Sequence, residues 1–373
     1  MPKYKIALMP GDGIGVDVME AAKIVLEKIN LDAEYFDAEI GWELWCKEGN
    51  PLPERTIDLL KKTNCCLFGA ITSKPKEEAE KELIPELQGK GLQYTSPIVK
   101  LRQEFNLRTN LRPCKAYKGN PLNYKDGIDL VIFRENTEGL YVGMEYHPLP
   151  EKVWNVLEET LPQKTKRFKS TPLNEIAISI RFMTKKGCEN IVKDAFEYAK
   201  KYKRKSVTLV EKPNVLRETG GLMRRVARDV AKNYPDIPFY EVNIDAICMW
   251  LLKNPFDYDV LVSENMFGDI VSDLCAQLVG GLGFASSANI GENYAIFEPT
   301  HGSAPKYAGK YKVNPMAMLL AIKLMLDWLG ENEMAANLEN AIANVIEEGK
   351  VRTYDMGGNS STIDMAKEVA ERL

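Results

Sequence analysis

The segment from Phe256 to Gly283 constrains this chain more than any other. Phe256–Ser263, Phe-Asp-Tyr-Asp-Val-Leu-Val-Ser, reads as a strand. It leads into Asn265-Met-Phe-Gly-Asp-Ile-Val-Ser-Asp273, the opening of a helix, and then into Gly280-Gly-Leu-Gly283. Asp269 and Asp273 stand four positions apart, so on a helix they share a face and can point at one ion. A strand ending beside paired acids is where an open α/β sheet places its chemistry. Taken alone, such a pair also describes an exposed helix N-terminus where the dipole favours acids. The rest of the chain decides.

The surrounding sequence repeats the strand-then-helix pattern. Tyr4–Met9 is a strand that passes through Pro10-Gly-Asp-Gly-Ile-Gly15 into a helix near Val16–Ile29. A helix near Pro53–Lys62 precedes the strand Cys65–Ala70, and Asp129–Arg134 reads as another buried strand. This is the βα alternation of a largely parallel sheet. Two stretches break it. Lys74–Gly91 is charged, bounded by Gly and Pro, and reads as a surface insertion. Tyr146–Asn174 loses periodicity before the strand Glu175–Arg181 and has the character of an arm or subunit contact. Amphipathic helices close the chain at Pro315–Leu329, Glu333–Glu348 and Thr362–Leu373.

Several functions are excluded by composition. The net charge of −4, with acids and bases interspersed, leaves no basic footprint for nucleic acid or an anionic membrane. The lysine cluster Lys200–Lys205 ends a helix, where cations complement the dipole. Only His147 and His301 are present, which weakens histidine metal sites and Ser/His or Cys/His triads. The seven cysteines form no CxxC pair, so buried free thiols in a reducing compartment are expected. The N-terminus enters a strand directly and no apolar run is long enough to cross a bilayer, which predicts a cytoplasmic protein. At 373 residues, two lobes are expected.

Other clusters join the opening pair. Gly11-Asp-Gly-Ile-Gly15 lacks the spacing of a dinucleotide fingerprint, and a tight strand-to-helix turn accounts for its glycines. Ser96 and Arg102 precede Arg112, and Arg134 ends a buried strand in Arg134-Glu-Asn-Thr-Glu-Gly-Leu-Tyr141. Three arginines at element ends suit a substrate with several carboxylates, although each alone reads as a surface or salt-bridge residue. Lys212 follows the strand Ser206–Val210, where a lysine can carry a proton. Asp245 offers a third carboxylate, and three aspartates suit a hard ion such as Mg²⁺ or Mn²⁺. The small-residue loop Phe297-Glu-Pro-Thr-His301-Gly-Ser-Ala-Pro-Lys306-Tyr307, followed by Val313-Asn314-Pro315, can wrap a nucleotide.

In this order, these segments resemble the isocitrate/3-isopropylmalate dehydrogenase family, the β-decarboxylating hydroxyacid dehydrogenases. The match runs from Gly11 to Gly358, and the 265–273 block with its trailing glycines is its most specific part. The resemblance implies a two-lobed α/β fold with a dimer clasp, not a Rossmann dinucleotide fold. Its large lobe would take residues 1–107 and 280–373, and its small lobe 108–279, with the clasp at about 142–184. It further implies a homodimer with shared sites. Arg102, Arg112 and Arg134 would clamp the malate-like part of a small di- or tricarboxylate hydroxyacid, and Ser96 its extra carboxylate. Asp269 and Asp273 would bind the metal with Asp245 from the other subunit, and Tyr141 and Lys212 would be the acid/base pair.

The resemblance also bears on cofactor and substrate. NAD-using members place aspartate and isoleucine after the His-Gly-Ser-Ala-Pro loop, whereas this chain has Lys306-Tyr307, then Val313 and Tyr354. That implies NADP, with NAD possible because Gly358 stands where an arginine is usual. Thr72 would lie near the nicotinamide end, Asn314 at the adenine, and His301, Gly302, Ser303, Ala304 and Pro305 along the cofactor. The leading expectation is NADP-dependent isocitrate dehydrogenase. Ile98, where isocitrate enzymes usually carry asparagine, keeps homoisocitrate and 3-isopropylmalate open. A non-catalytic regulatory subunit is the remaining alternative, disfavoured by the full set of metal and acid/base residues.

Overall fold

A computed structural model describes residues 2–373. One ten-stranded sheet organises it. In chain order its strands are β1 (Tyr4–Gly11), β2 (Ala33–Asp37), β3 (Cys65–Ala70), β4 (Thr109–Lys115) and β5 (Asp129–Glu135). A separate two-residue pair, β6 (Glu145–Tyr146) with β7 (Ile178–Ser179), stands apart from the sheet. The sheet resumes with β8 (Val207–Glu211), β9 (Phe239–Asn243), β10 (Val260–Ser263), β11 (Ser286–Ile290) and β12 (Ala295–Pro299).

The spatial order is β2-β1-β3-β12-β11-β4-β5-β10-β8-β9. Pairings are parallel in β2-β1-β3-β12 and again in β5-β10-β8-β9. The β12-β11, β11-β4 and β4-β5 pairs are antiparallel. Two parallel blocks therefore run in opposite directions and meet at an antiparallel seam. Parallel strands need cover on both faces, which explains why all six residues of β3 are buried. The helix Met316–Leu329 lies against β11, β12 and β3 with ten of its 14 residues buried. Its near-continuous apolar sequence is that of an internal helix.

Two expectations need correction and a third is refined. The strand expected at Glu175–Arg181 shrinks to Ile178–Ser179, because its only partner is the equally short β6. The aperiodic stretch before it contains a helix, Glu151–Thr160, with no buried residue. Its polar and apolar faces both meet solvent in a single chain, so apolar burial does not specify it here. The Lys74–Gly91 insertion lies at the surface, as expected, but carries its own anchored helix. It forms the helix Lys76–Lys81, and Ala79 and Leu83 bury against Trp42 and Trp45. Among the described residues, no helix is long and apolar enough to cross a membrane, and all seven cysteines are free.

Candidate active site

Strand register brings the site together. Across the seam, Asn289 pairs with Asn110, and Asn110 with Arg134. Opposed residues share a face, so these three side chains form a cross-strand row, and Arg112 joins them two positions along β4. Leu111, Phe133 and Ala288 alternate to the other face and enter the main core. Polar residues on one face and apolar residues on the other thus arise from strand periodicity alone.

Asn289 anchors the row. Its Oδ1 accepts from Asn110 Nδ2 at 2.8 Å, Asn136 Nδ2 at 2.9 Å and Arg102 Nε at 3.0 Å, and its Nδ2 donates to Glu298 at 2.6 Å. Asn110 Oδ1 then accepts from Arg112 Nε at 2.8 Å. Arg134 gives its Nε and Nη2 to Asn265 Oδ1 at 2.9 and 2.7 Å. Two of the three arginines are therefore held on neutral amides at Nε, and the third on an amide at both Nε and Nη2. This leaves Nη1 of Arg112 and Arg134 for the carboxylates of the facing helix.

That helix, Asn265–Leu278, starts where Glu264 accepts the Phe267 N–H at 2.7 Å. Asp269 and Asp273 occur on one of its faces, as expected. Arg134 Nη1 bonds Asp269 Oδ1, and Arg112 Nη1 lies 3.1 Å from the same oxygen and 3.2 Å from Asp273 Oδ1. Tyr141 donates its hydroxyl to Asp269 Oδ2 at 2.6 Å, with the Arg134 guanidinium 4.9 Å from its ring centre. Burial opposes ionisation of Asp269, but Arg134, then Arg112, with the Tyr141 hydroxyl, overcome it and hold the carboxyl below its usual range. Asp273 moves the other way, through burial and despite Arg112, with Asp269 adding repulsion. Burial, reinforced by the Asp269 charge, raises the Tyr141 phenol.

Lys212 and Asp245 form their own pair, Nζ to Oδ1 at 2.5 Å. Asp245 lies in the first turn of the helix Ile244–Lys253 and is exposed. Among the described residues of this single chain, no three potential ligands gather at metal spacing. Glu211 turns away from the lysine side chain towards Arg181, 3.0 Å away. Ser96 sits at the start of the helix Pro97–Glu104 without capping it through its side chain, which leaves the hydroxyl free for another partner.

A second candidate element is the 301–307 loop. Gly13 has φ +57°, and a Cβ there would lie 2.2 Å from the Ser303 carbonyl, so the glycine turn packs directly against this loop. The Ile14 N–H donates to that carbonyl at 2.8 Å, and the hydroxyls of Thr72 and Ser303 are 2.6 Å apart. Asp12, whose carboxyl is raised by burial, accepts the Thr72 and Trp42 N–H groups at 2.9 and 2.8 Å. Gly302 faces open space, and His301 Nε2 is buried without a partner. Lys306 is exposed on the short turn Pro305–Tyr307 and makes no ion pair among the described residues. Tyr307 stacks on Tyr354 at 5.7 Å and 12°. Val313 and Asn314 are buried nearby, with Asn314 Nδ2 3.1 Å from Asp355.

A sequence profile described as Isocitrate/isopropylmalate dehydrogenase matches residues 5–369. The chain belongs to this family. The 3-isopropylmalate dehydrogenase of Archaeoglobus fulgidus is 42% identical, with 99% of each chain covered. Protein DlpA of Legionella pneumophila is also 42% identical over 98% of this chain, which spans only 58% of DlpA. The crystal structure of isocitrate dehydrogenase from Methylococcus capsulatus superposes with a TM-score of 0.85 at 38% identity, covering 99% of both chains. Members of this family are NAD(P)-dependent hydroxyacid dehydrogenases that act on small carboxylates with a divalent metal.

The amide hub was not singled out from the sequence. Asn265 stood in the 265–273 block, but the segments of Asn110 and Asn289 carried no strand assignment, and an asparagine alone does not show which face of a strand it takes.

Proposed function

We propose that this protein is an isocitrate dehydrogenase that couples oxidative decarboxylation to NADP reduction. The observation that carries the reading is the convergence of Arg134, Arg112 and Tyr141 on Asp269, with Arg102 tied to the same amide hub. Guanidinium groups preset on neutral amides match the carboxylates of a hydroxyacid bidentately. Asp269 pairs with two of them, Arg112 and Arg134.

Asp269 and Asp273 present hard oxygen donors from one helix face, which fits Mg²⁺ or Mn²⁺. A two-carboxylate set is incomplete, and Asp245 of the partner subunit would extend it. When bound, the metal polarises the substrate hydroxyl and offsets negative charge that develops during decarboxylation. The chain's own groups divide the remaining tasks. The arginines fix the substrate carboxylates, and Ser96 Oγ is free to meet an extra one. Lys212 Nζ receives the hydroxyl proton in the partner's site. Tyr141 Oη, which holds its proton at neutral pH, returns a proton to carbon.

Shared sites require a dimer. The arm exposes Val156, Leu161 and Phe182, and the Asp245 helix exposes Met249, Trp250 and Leu252. Exposed apolar residues on both elements suit a subunit contact. We assign the lobes to residues 1–107 with 280–373 and to 108–279, meeting at the β4-β11 pair.

Lys306 supports NADP because an unpaired cation beside stacked Tyr307 and Tyr354 suits a 2′-phosphate. Ile98 supports a second reading, homoisocitrate or 3-isopropylmalate oxidation. It is half-buried against Leu101 and other apolar residues, two positions from Ser96. Reduction rates of NADP⁺ and NAD⁺ with each of the three acids and Mn²⁺ test both. Turnover of 3-isopropylmalate alone would end the isocitrate reading, and NAD⁺ preference would end the Lys306 argument.

A further inference from the structure

Outside the arginine cluster, the chain buries a second charged group. Arg181 follows β7 at the end of the arm, and its side chain is 10% exposed. It faces Glu211, which ends β8, and Glu264, which follows β10, each with a side chain 2% exposed. One nitrogen, Arg181 Nη2, lies 3.0 Å from Glu211 Oε2 and 3.4 Å from Glu264 Oε2. The guanidinium also packs 5.2 Å from the centre of the Phe267 ring.

Each glutamate uses its other oxygen on a backbone amide that begins a functional element. Glu211 Oε1 accepts the Lys212 N–H at 2.9 Å. Glu264 Oε1 accepts the Phe267 N–H and so caps the helix carrying Asp269 and Asp273. The residue after Arg181 reaches the third element: the Gly139 N–H donates to the Phe182 carbonyl at 2.7 Å, two residues before Tyr141. Arg181 thus stands where the Lys212 strand, the aspartate helix and the tyrosine loop meet.

Two carboxylates so deeply buried repel each other strongly unless a cation lies between them. Without it, one of them takes up a proton or moves, and in either case the bridge that ties the end of β8 to the start of the aspartate helix is lost. Arg181 Nε and Nη1 have no partner among the described residues, so the guanidinium is committed to this one contact.

We propose that Arg181 is a positioning residue that sets the Lys212 strand end and the Asp269 helix relative to each other. The inference rests on the reading that Lys212 and Asp269 act in hydroxyacid oxidation. Under that reading Lys212 serves the partner's site and Asp269 its own. One guanidinium then aligns parts of two active sites, and the arm that carries it links their geometry to dimer formation.

The test compares the full-length dimer with Arg181→Met, Arg181→Lys and the triple variant Arg181→Met/Glu211→Gln/Glu264→Gln. Arg181→Met leaves two buried carboxylates uncompensated and is the variant at risk of misfolding. The triple variant removes both charges and guards against that outcome. In folded dimers lacking Arg181, kcat with isocitrate and NADP⁺ should fall about 10- to 100-fold, the range expected for a misplaced catalytic group. KM should stay within about twofold, since the substrate clamp is intact. Arg181→Lys should recover part of kcat. The deuterium isotope effect with C2-deuterated substrate should rise, because hydroxyl deprotonation and hydride loss become slower. Fewer active molecules would lower kcat without changing that ratio.

A triple variant with wild-type kcat overturns the proposal. So does a fall in kcat with an unchanged isotope effect. Lys212→Met tests the underlying reading separately. If that variant oxidises the substrate at the parental rate, the role of Lys212 fails whatever the Arg181 variants do.

Discussion

The hydroxyl of Tyr141 donates to Oδ2 of Asp269 at 2.6 Å, while Arg134 and Arg112 hold the other carboxylate oxygen. Burial pushes both acids up, Arg134 and then Arg112 pull Asp269 below its usual range, and the hydrogen bond adds to the separation. It favours the charged carboxylate and disfavours the phenolate. A tyrosine in this position holds its proton, as the proposed acid role requires, and the ionised carboxylate beside it suits the proposed metal. Tyr141→Phe removes the donor with little change of shape. Its kcat should fall about 100-fold or more with KM nearly unchanged, measured as NADPH formation at saturating substrate. Activity within threefold of the parent would remove Tyr141 from the proton path.

Asp269 also ties stability to pH. Its folded pKa lies below the unfolded value of about 3.9. A depressed carboxylate contributes stability that is present above the unfolded pKa and is lost as pH falls through the folded one. In metal-free protein, Asp269→Asn should therefore flatten the loss of stability between about pH 5 and the acid limit. At pH 7 the variant should be less stable by about 2 kcal/mol, a buried-pair cost discounted for the partial exposure of Asp269. Urea titrations of both proteins at pH 7 and pH 3.5 measure this. Parallel stability curves would show that Asp269 carries no such linkage.

How much of this was legible beforehand depended on the kind of signal. The strands β3 and β5 and the paired acids were readable because an apolar run and an i,i+4 spacing are local properties. The arm was readable only as a loss of periodicity, since the helix Glu151–Thr160 buries nothing within the chain and so has no core to pattern its sequence. Asn289 could not be assigned its role, because its partners at 110, 136 and 102 are set by strand order, and an asparagine has no sequence signature for the face it occupies. The orientation of Glu211 was likewise non-local. It is adjacent to Lys212 in sequence, yet the alternation of β8 turns its side chain inwards to Arg181.

The 301–307 loop, proposed to hold the cofactor, yields a direct test of charge selection. Lys306 has no acidic partner among the described residues, and Tyr307 is held by its stack on Tyr354. A charge-assisted contact is worth about 1.5–3 kcal/mol, or roughly 10- to 100-fold in affinity. Lys306→Asp/Tyr307→Ile should therefore lower the NADP⁺-to-NAD⁺ ratio of kcat/KM by about 100-fold, with a carboxylate now available for a free ribose diol. Steady-state kinetics with both cofactors measure the ratio. An unchanged ratio would place the 2′-phosphate elsewhere.

The 74–91 insertion is fastened to the helix Trp42–Glu48 by the indoles of Trp42 and Trp45 and by the Ile84 N–H on the Cys46 carbonyl. Trp45 is buried, and its Nε1 donates to the Ala79 carbonyl at 2.8 Å. Tyr94 packs on Trp42 and Trp45 and donates its hydroxyl to the Thr72 carbonyl at 2.8 Å, so the same cluster reaches the 301–307 loop through Thr72 and Ser303. Trp45→Phe preserves an aromatic ring but leaves the Ala79 carbonyl without its donor, at a cost of about 1–3 kcal/mol. That cost falls on the insertion's attachment, which keeps the burial of Ala79 and Leu83 and the Trp42–Glu82 hydrogen bond. Local opening should become more populated while global unfolding changes less. Trypsin cleavage at Lys81 or Lys90 should accelerate about tenfold under native conditions, accompanied by a weaker apparent affinity for NADP⁺ than for the hydroxyacid. Equal cleavage rates in the two proteins would mean that the insertion is held by something other than Trp45.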